Sequence, residues 1–277
     1  MIKRLLLLVP GILISSFLLA QSPVALIKQM IDSATAIQGF RAEITKEERI
    51  ENEIVKIVTQ ANMRKEPYGL YLVQRYPKEG VEVLVRGMDE KPLVNLNAFP
   101  WFNMNLDPYG PLMRRNQHHT VFDSGFDLLA NILKRELEQL GDNLSNITYK
   151  GLVEWDGRPA HEIEVLYPDY GKKLYKVLMG EDLLTIAKKL NVSEYSILEL
   201  NKQISFYDDV EPGEEILVPS SYAKRMVLLV DTEFMLPMVT KVYDDKGLYE
   251  QYSYRKFILN PEFEPEEFKS SYDGYGF

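Results

Sequence analysis

The chain has 277 residues, a formal net charge of −9 and a pI near 5.1. This acidic balance argues against a nucleic acid as partner, because a phosphate backbone is bound mainly through Lys and Arg. There is no cysteine, which excludes thiol nucleophiles, disulfides and cysteine-ligated metal sites. A domain of this size can bury an ample core without disulfides.

The amino-terminal segment has the features of a secretory signal peptide. Two basic residues, Lys3 and Arg4, precede an interrupted apolar run over 5–19, and the small residue Ala20 follows that run. This pattern is typical of a cleaved export signal. We therefore predict that residues 1–20 are removed, that the mature protein does not span a membrane, and that it is located in the periplasm or cell envelope. An uncleaved membrane anchor is the alternative.

The first part of the mature chain predicts one helix followed by β-strands. Apolar side chains keep helical spacing from Pro23 until Gly39 ends the helix. Alternating strands are then predicted over 40–45 and 55–63, and two further strands over 68–76 and 81–86. Over 70–73 apolar residues fall on both faces, which is expected where one face of a sheet packs against a helix and the other against a partner or ligand.

The second part of the chain predicts more strands around an insertion. After an irregular, aromatic-rich stretch over 90–121, Ser124 is predicted to cap a second amphipathic helix. A hairpin follows, and its second strand, 160–167, would pair with 224–231. The residues between these two strands would then sit at the tip of a hairpin, where an inserted domain is tolerated because its two ends are close together.

The inserted segment resembles the LysM family. It contains Gly180-Glu-Asp-Leu183, where the family has Gly-Asp-Thr-Leu, then a second helix ending at Asn201, and Val210-Glu-Pro-Gly213 before a closing strand. The resemblance implies a βααβ module over 173–221. It also implies binding to glycans that contain N-acetylglucosamine, such as peptidoglycan.

In that family the sugar lies between the loop after the first strand and the loop after the second helix, where backbone groups bind its N-acetyl group. By resemblance, the glycan-binding residues are Gly180, Glu181, Asp182, Leu183, Asn201, Lys202, Gln203 and Ile204. This chain departs from the family at Asp182, and its second loop is lengthened by 205–209. The alternative is a spacer in which Gly180 and Gly213 serve only turn geometry.

The rest of the mature chain resembles the LolA-like superfamily. The similarity rests on the initial helix, a strand pair that ends in Asn62-Met-Arg-Lys-Glu-Pro67, and a carboxyl-terminal run from Leu236 to Phe268. It implies an α+β fold with a strongly curved antiparallel sheet, a half-barrel closed by helices, over 21–172 and 222–277. Periplasmic members of that superfamily carry lipoproteins or lipids.

A half-barrel of this kind offers an apolar inner surface to an acyl chain. Each buried methylene would contribute roughly 0.8 kcal/mol to binding. The candidate cavity residues are Phe40, Ile44, Val55, Ile57, Met63, Leu70 and Leu72, with Trp101, Phe102 and Met104 as a mobile cover. Alternatively, these side chains are ordinary core beneath the two helices.

The sequence contains no recognisable catalytic motif. Of its three histidines, His118 and His119 are adjacent, so their side chains would diverge on an extended chain and would not share a metal. His161 lies on a predicted strand, and the pairs Asp244-Asp245 and Glu266-Glu267 fall in a polar turn and a solvated tail. We therefore predict no enzyme activity, no cofactor and no metal site, with a hidden pair of catalytic carboxylates as the open alternative.

These patterns favour a non-enzymatic periplasmic carrier or sensor of a lipid or other apolar ligand, tethered to peptidoglycan through the LysM module. The expected partners are peptidoglycan and a lipid or lipoprotein, without nucleic acid. Two alternatives stay open. One is an envelope scaffold whose β domain binds a protein partner, and the other is an envelope hydrolase.

Overall fold

The computed structural model describes residues 22–140 and 145–277, so the predicted signal peptide, residues 1–20, lies outside the described residues. The strands are β1 (Gly39–Ile50), β2 (Glu53–Arg64), β3 (Gly69–Tyr76), β4 (Glu82–Val85), β5 (Leu93–Asn95), β6 (Met104–Asn105), β7 (Ile147–Trp155), β8 (Arg158–Leu166), β9 (Lys172–Lys176), β10 (Glu215–Pro219), β11 (Arg225–Asp231), β12 (Pro237–Asp244) and β13 (Gly247–Leu259). The helices are α1 (Pro23–Ala36), α2 (Pro111–Arg114), α3 (Asp127–Leu140), α4 (Leu183–Leu190) and α5 (Glu194–Leu200), with a 3-10 turn at Val121–Asp123. In this part of the chain, none of the helices is long and apolar enough to cross a membrane.

Eleven strands form one large sheet in the order β6-β5-β4-β3-β2-β1-β13-β12-β11-β8-β7. The neighbouring strands are antiparallel, and the sheet curves without closing into a barrel. Register shifts interrupt the pairs β1–β13, β2–β3, β7–β8, β11–β12 and β12–β13. Such bulges bend a strand and increase its twist, which accounts for the curvature. The predicted α+β fold with a strongly curved antiparallel sheet is therefore confirmed.

The inner face of the sheet packs against α1 and α3 and forms the main core. Phe40, Ala42 and Ile44 are buried at alternate positions of β1, as the alternation predicts. Helix α1 contributes Ile27 and Met30 to the same core. These helices cover one side of the sheet because packing there removes the apolar faces of both from water.

The outer face of β3 and β4 is covered by the carboxyl-terminal segment, residues 260–277. Phe268 is buried there in a small cluster with Tyr71 and Leu84. The ring of Tyr275 stacks on Tyr71 with the two centroids 3.7 Å apart. The apolar residues that β3 presents on its outer face are thus covered by the chain itself.

An ion pair holds this segment to the sheet. The guanidinium of Arg41 donates two hydrogen bonds of 2.7 Å to the carboxylate of Glu267. The prediction that Glu266-Glu267 lies in a solvated tail is therefore wrong for Glu267, which is buried. The segment returns to the sheet because Phe268 and Tyr275 can bury their rings there.

Strands β9 and β10 and helices α4 and α5 form a separate small unit, which we call the module. Its two strands pair antiparallel, and its core contains Leu183, Ile186, Ile197 and Val218. This is the βααβ order that was predicted. Strands β8 and β11, which flank the module, pair antiparallel as expected, so both ends of the module leave the large sheet side by side.

Candidate functional site

A cavity of about 160 Å³ lies between the inner face of the sheet and a segment that we call the lid, residues 111–132. The lid comprises α2, the 3-10 turn and the first part of α3. The sheet contributes Ile44, Ile57, Leu72, Val83 and Val242 to the lining, and the lid contributes Met113, Val121, Phe126, Leu128, Leu129 and Ile132. Most of the cavity wall is therefore apolar.

The seven cavity residues predicted on β1, β2 and β3 lie in different places. Three of them line the cavity: Ile44, Ile57 and Leu72. Three others are buried in the main core, as the alternative prediction has it: Phe40, Met63 and Leu70. Val55 is half-buried on β2 and is not among the lining residues in the described part of the chain.

The structure does not place Trp101, Phe102 and Met104 over the cavity. Trp101 and Phe102 are 81% and 65% exposed in the loop before β6. Met104 lies in β6, opposite Val94 of β5. The three side chains belong to the edge of the sheet, where β5 and β6 follow β4, and are not among the cavity-lining residues in the described part of the chain. The lid covers the cavity instead.

One end of the cavity is polar and deeply buried. Glu48 of β1 and Glu250 of β13 are opposite each other in register, and they are 1% and 2% exposed. His118 Nδ1 lies 2.9 Å and His119 Nε2 lies 3.0 Å from the same Oε2 atom of Glu250. The hydroxyl of Tyr222 donates to the other oxygen of Glu250 at 2.8 Å. Side chains of the lid thus contact the sheet at the carboxylate of Glu250.

This arrangement changes the protonation of its members. Burial raises the pKa of Glu250, but the charge of His119 and the hydrogen bonds from both histidines outweigh burial and hold that pKa well below its usual range. Burial likewise lowers the pKa of His119, and the Glu250 carboxylate outweighs it and raises the pKa to about 9. Glu250 and His119 therefore form a buried ion pair at neutral pH.

The prediction that the adjacent histidines diverge is wrong. The backbone bends at His118 and His119 and is not extended, so both rings can point toward Glu250. Sequence reasoning also missed Glu48 and Glu250. A signal for Glu48 exists, because it falls on the same alternate positions of β1 as Phe40 and therefore faces inward.

The two loops that the LysM resemblance implicates in glycan binding lie side by side. The amide of Leu183 donates to the carbonyl of Tyr207 at 2.8 Å. Gly180, Lys202 and Gln203 are exposed at these loops, whereas Leu183 and Ile204 bury their side chains in the core of the module.

Three of the predicted glycan-binding side chains already have partners inside the module. Asp182 caps α4 by accepting the amide of Thr185 at 2.7 Å. Glu181 accepts hydrogen bonds from a tyrosine, a lysine and an amide of its own loop. Asn201 both donates to and accepts from the backbone of Leu217 at 2.8 Å. Contacts to a sugar would therefore fall to the backbone and to the exposed loop residues.

The module is docked on the lid through buried contacts. Arg114 of α2 donates to Glu194 of α5 at 3.0 Å. The ring of His118 is stacked between Tyr195 of α5 and Tyr249 of β13, with centroid distances of 4.5 and 4.2 Å. The lid therefore contacts the cavity on one side and the module on the other.

A second, larger cleft of about 1010 Å³ lies between α3, the lid and α4. It is lined by charged side chains, among them Lys65, Asp127 and Arg135. His119 and Tyr222 border both this cleft and the first cavity. The polar end of the cavity is thus reached from two sides.

Comparison with known proteins assigns two parts of the chain. Residues 175–219 match the LysM domain, which confirms the predicted module. Residues 37–179 match a family described as protein of unknown function DUF1571. No curated protein matches the chain in sequence.

Several solved structures are similar at low identity. The lipoprotein LppX of Mycobacterium tuberculosis is 13% identical over 87% of this chain and 97% of its own, with a TM-score of 0.43. The MucA/MucB complex of Pseudomonas aeruginosa is 11% identical over 89% of this chain and 60% of the matched one, with a TM-score of 0.40. A LolA superfamily protein of Nitrosomonas europaea is 9% identical over 88% and 96%, with a TM-score of 0.33.

The DUF1571 match begins just before β1 and continues through the lid and the first hairpin after it, to the first strand of the module. It covers just over half of the chain. The protein therefore belongs to the DUF1571 family and carries a LysM domain.

Proposed function

We propose that this protein is a non-enzymatic carrier or sensor of a lipid or other apolar ligand, and that its LysM module holds it at peptidoglycan in the cell envelope. The observation that carries the proposal is the lidded cavity. Its walls are apolar on both the sheet side and the lid side, and its inner end is polar. A ligand with an apolar body and a small polar head fits this distribution.

The size of the cavity sets the size of the ligand. About 160 Å³ has room for roughly ten water-sized groups. At roughly 0.8 kcal/mol per buried methylene, a short acyl segment gains several kcal/mol, part of which offsets the cost of association. The cavity therefore suits one short acyl segment and not several long chains.

The first experiment tests the cavity. The full chain is purified from the envelope and examined by native mass spectrometry and by solvent extraction for bound lipid. Leu72→Trp, which places a larger ring in the cavity, is expected to abolish the bound mass. Leu152→Trp, on an exposed position of β7, is the matched control and should retain it. An empty wild-type cavity across independent preparations argues against the carrier.

The second experiment tests attachment to the wall. The wild type and Gly180→Val are incubated with purified sacculi and recovered by sedimentation. Gly180 has a φ of +79° and open space around it, so valine would strain the loop and project into the expected sugar groove. Gly157→Val is the control, because Gly157 also has a positive φ and open space but lies in the β7–β8 turn. Equal recovery of both variants would remove this loop from glycan binding.

A protein partner is the second candidate for the β domain. It is favoured by the aromatic side chains Phe99, Trp101 and Phe102, which are exposed together on one loop. Replacing all three with serine would abolish capture of an envelope protein on this view, while lipid occupancy of the cavity would be unchanged.

A further inference from the structure

The histidine–glutamate cluster has the geometry of a metal site. One ring nitrogen of His118, one of His119 and a carboxylate oxygen of Glu250 all lie within 4.8 Å of one another. Imidazole nitrogens and a carboxylate oxygen are the usual ligands of zinc when cysteine is absent. Ligand atoms around a tetrahedral zinc with bonds near 2.0–2.1 Å lie about 3.3 Å apart. The distances of 2.9 and 3.0 Å from the nitrogens to Glu250 therefore need to open by only a few tenths of an ångström.

The two ring nitrogens of His118 face different partners. Its Nε2 lies 2.9 Å from the carbonyl oxygen of Arg49, which only accepts, so Nε2 carries a hydrogen. The other ring nitrogen, Nδ1, faces the Glu250 carboxylate at 2.9 Å and is the nitrogen that would coordinate a metal ion. The contact with Arg49 would then be the outer bond that orients a metal-ligating histidine.

The buried carboxylates of β1 and β13 also favour a cation beside Glu250. Glu48 and Glu250 are buried directly opposite each other, and like charges in that position destabilise a strand pair. The Nζ atom of Lys46 lies 3.9 Å from Oε2 of Glu48. In the described part of the chain, the side chains that hydrogen-bond to Glu250 are His118, His119 and Tyr222. No lysine or arginine is among them, and a divalent ion held by the two histidines would balance the charge of this buried carboxylate.

A neighbouring trio, His119 with Asp123 and Glu194, lies within similar distances. Its carboxylates already have partners, however. Glu194 is paired with Arg114, and Asp123 accepts from the amide and hydroxyl of Thr120. The geometry therefore favours Glu250 as the carboxylate ligand.

We propose that His118, His119 and Glu250 bind one divalent transition ion of the zinc class, with an open coordination position facing the cavity. His119 and Glu250 both line that cavity. Three protein ligands leave a fourth position for water or for an anionic oxygen of a ligand, as in open zinc sites. A metal bound here would contradict the prediction of no metal site. The inference does not rest on the apolar ligand, because metal binding is measured separately from lipid occupancy.

The direct test uses the full chain, freed of metal with a chelator and then titrated with Zn²⁺ against a chromophoric competitor. Metal content after desalting is measured by mass spectrometry. One equivalent of Zn²⁺ is expected, and Co²⁺ in its place should give the intense visible bands of a four-coordinate ion. Wild-type protein that binds no stoichiometric metal and gives no such bands overturns the proposal, and the cluster is then held by protons alone.

Variants assign the ligands. His119→Gln and Glu250→Gln are expected to weaken Zn²⁺ binding by more than the roughly 10–100-fold that loss of an outer partner costs. His161→Gln is the matched control, since His161 lies on β8 beside Tyr149 and away from the cluster, and it should bind like the wild type. Wild-type affinity in His119→Gln contradicts the assignment. Circular dichroism of the metal-free variants checks folding, and the wild-type Co²⁺ spectrum decides without any variant.

Discussion

Asp231 illustrates how this sheet holds a charge in its interior. Its carboxylate is buried, and it accepts the amides of Glu233 and Phe234 at 2.9 and 2.8 Å. Arg158 donates to it at 2.6 and 3.1 Å. We expect Asp231→Asn to keep the amide contacts and lose the ion pair, which should reduce the free energy of unfolding by about 1–2 kcal/mol because Arg158 is partly solvated. Urea unfolding at neutral pH measures the difference.

The same pair predicts a pH dependence. Burial opposes ionisation of Asp231, but the hydrogen bonds from Arg158 and the two amides outweigh burial and lower its pKa. A carboxyl group whose pKa is lowered by folding stabilises the fold at pH values above its ordinary pKa. That stabilisation is lost as the pH falls through the pKa of the folded state. The stability gap between the wild type and Asp231→Asn should therefore be constant near neutrality and narrow below about pH 4. A gap that widens on acidification contradicts this.

Asn201 is a predicted glycan-binding residue whose side chain also has a structural role. Its amide bridges α5 and β10 through Ile197 and Leu217. Asn201→Ala should cost about 1–3 kcal/mol, because buried backbone groups are left without partners. The adjacent and exposed Lys202→Ala should stay within about 0.5 kcal/mol. Thermal unfolding compares them, and an equally small effect of both would show that Asn201 does not hold the module together.

The polar cluster shows which residues could be predicted from sequence and which could not. Glu48 was within reach, because strand alternation places it on the inner face. The approach of His118 and His119 to Glu250 was not, since it depends on a backbone bend in the lid and on the pairing of β1 with β13. That pairing joins residues about 200 positions apart, and no local pattern encodes it.

At the scale of elements, the carboxyl-terminal segment is a part of the fold whose removal should be costly. Phe268 is buried against the outer face, and the guanidinium of Arg64 lies over its ring at 4.6 Å. Phe268→Ala should lower the free energy of unfolding by about 3–5 kcal/mol, since it leaves a cavity against β3. Phe102→Ala, at an exposed loop position, should change it by less than about 0.5 kcal/mol. Chemical denaturation compares the two, and similar values would place the segment outside the cooperative fold.

The elements that were predicted well are those with a local signal. Helix α1 and the hairpins follow from periodicity and turn residues, and the module follows from its motif. The lid was predicted poorly. Ser124 does not cap α3, because it ends the 3-10 turn, where its hydroxyl donates to the carbonyl of Val121, and α3 starts only at Asp127. The lid takes its shape from contacts with the sheet and the module, and its own sequence carries little periodicity.

At the scale of the whole molecule, the module is held against the β domain by side-chain contacts as well as by its two chain connections. Ser193, at the position that caps α5, makes no capping hydrogen bond and instead lies 2.8 Å from the hydroxyl of Tyr249. Lys246 reaches from the β12–β13 turn to Glu199 at 2.7 Å. A module docked in this way positions the lid as well as itself, so the wall-binding part and the cavity share one structural element.

A substitution of Glu194 tests whether the module holds the lid in place. It pairs with Arg114, whose Nε and Nη1 atoms are buried and have no hydrogen-bond partner among the described residues. Glu194→Gln removes the compensating charge, which is costly for a buried pair. We expect faster hydrogen exchange both in α5 and in the lid, with α1 and β1 unchanged. Glu211→Gln, an exposed carboxylate of the module, is the control and should leave all of these unchanged. Faster exchange confined to α5 would show that the lid is held by the sheet alone, and the two sites would then be structurally independent.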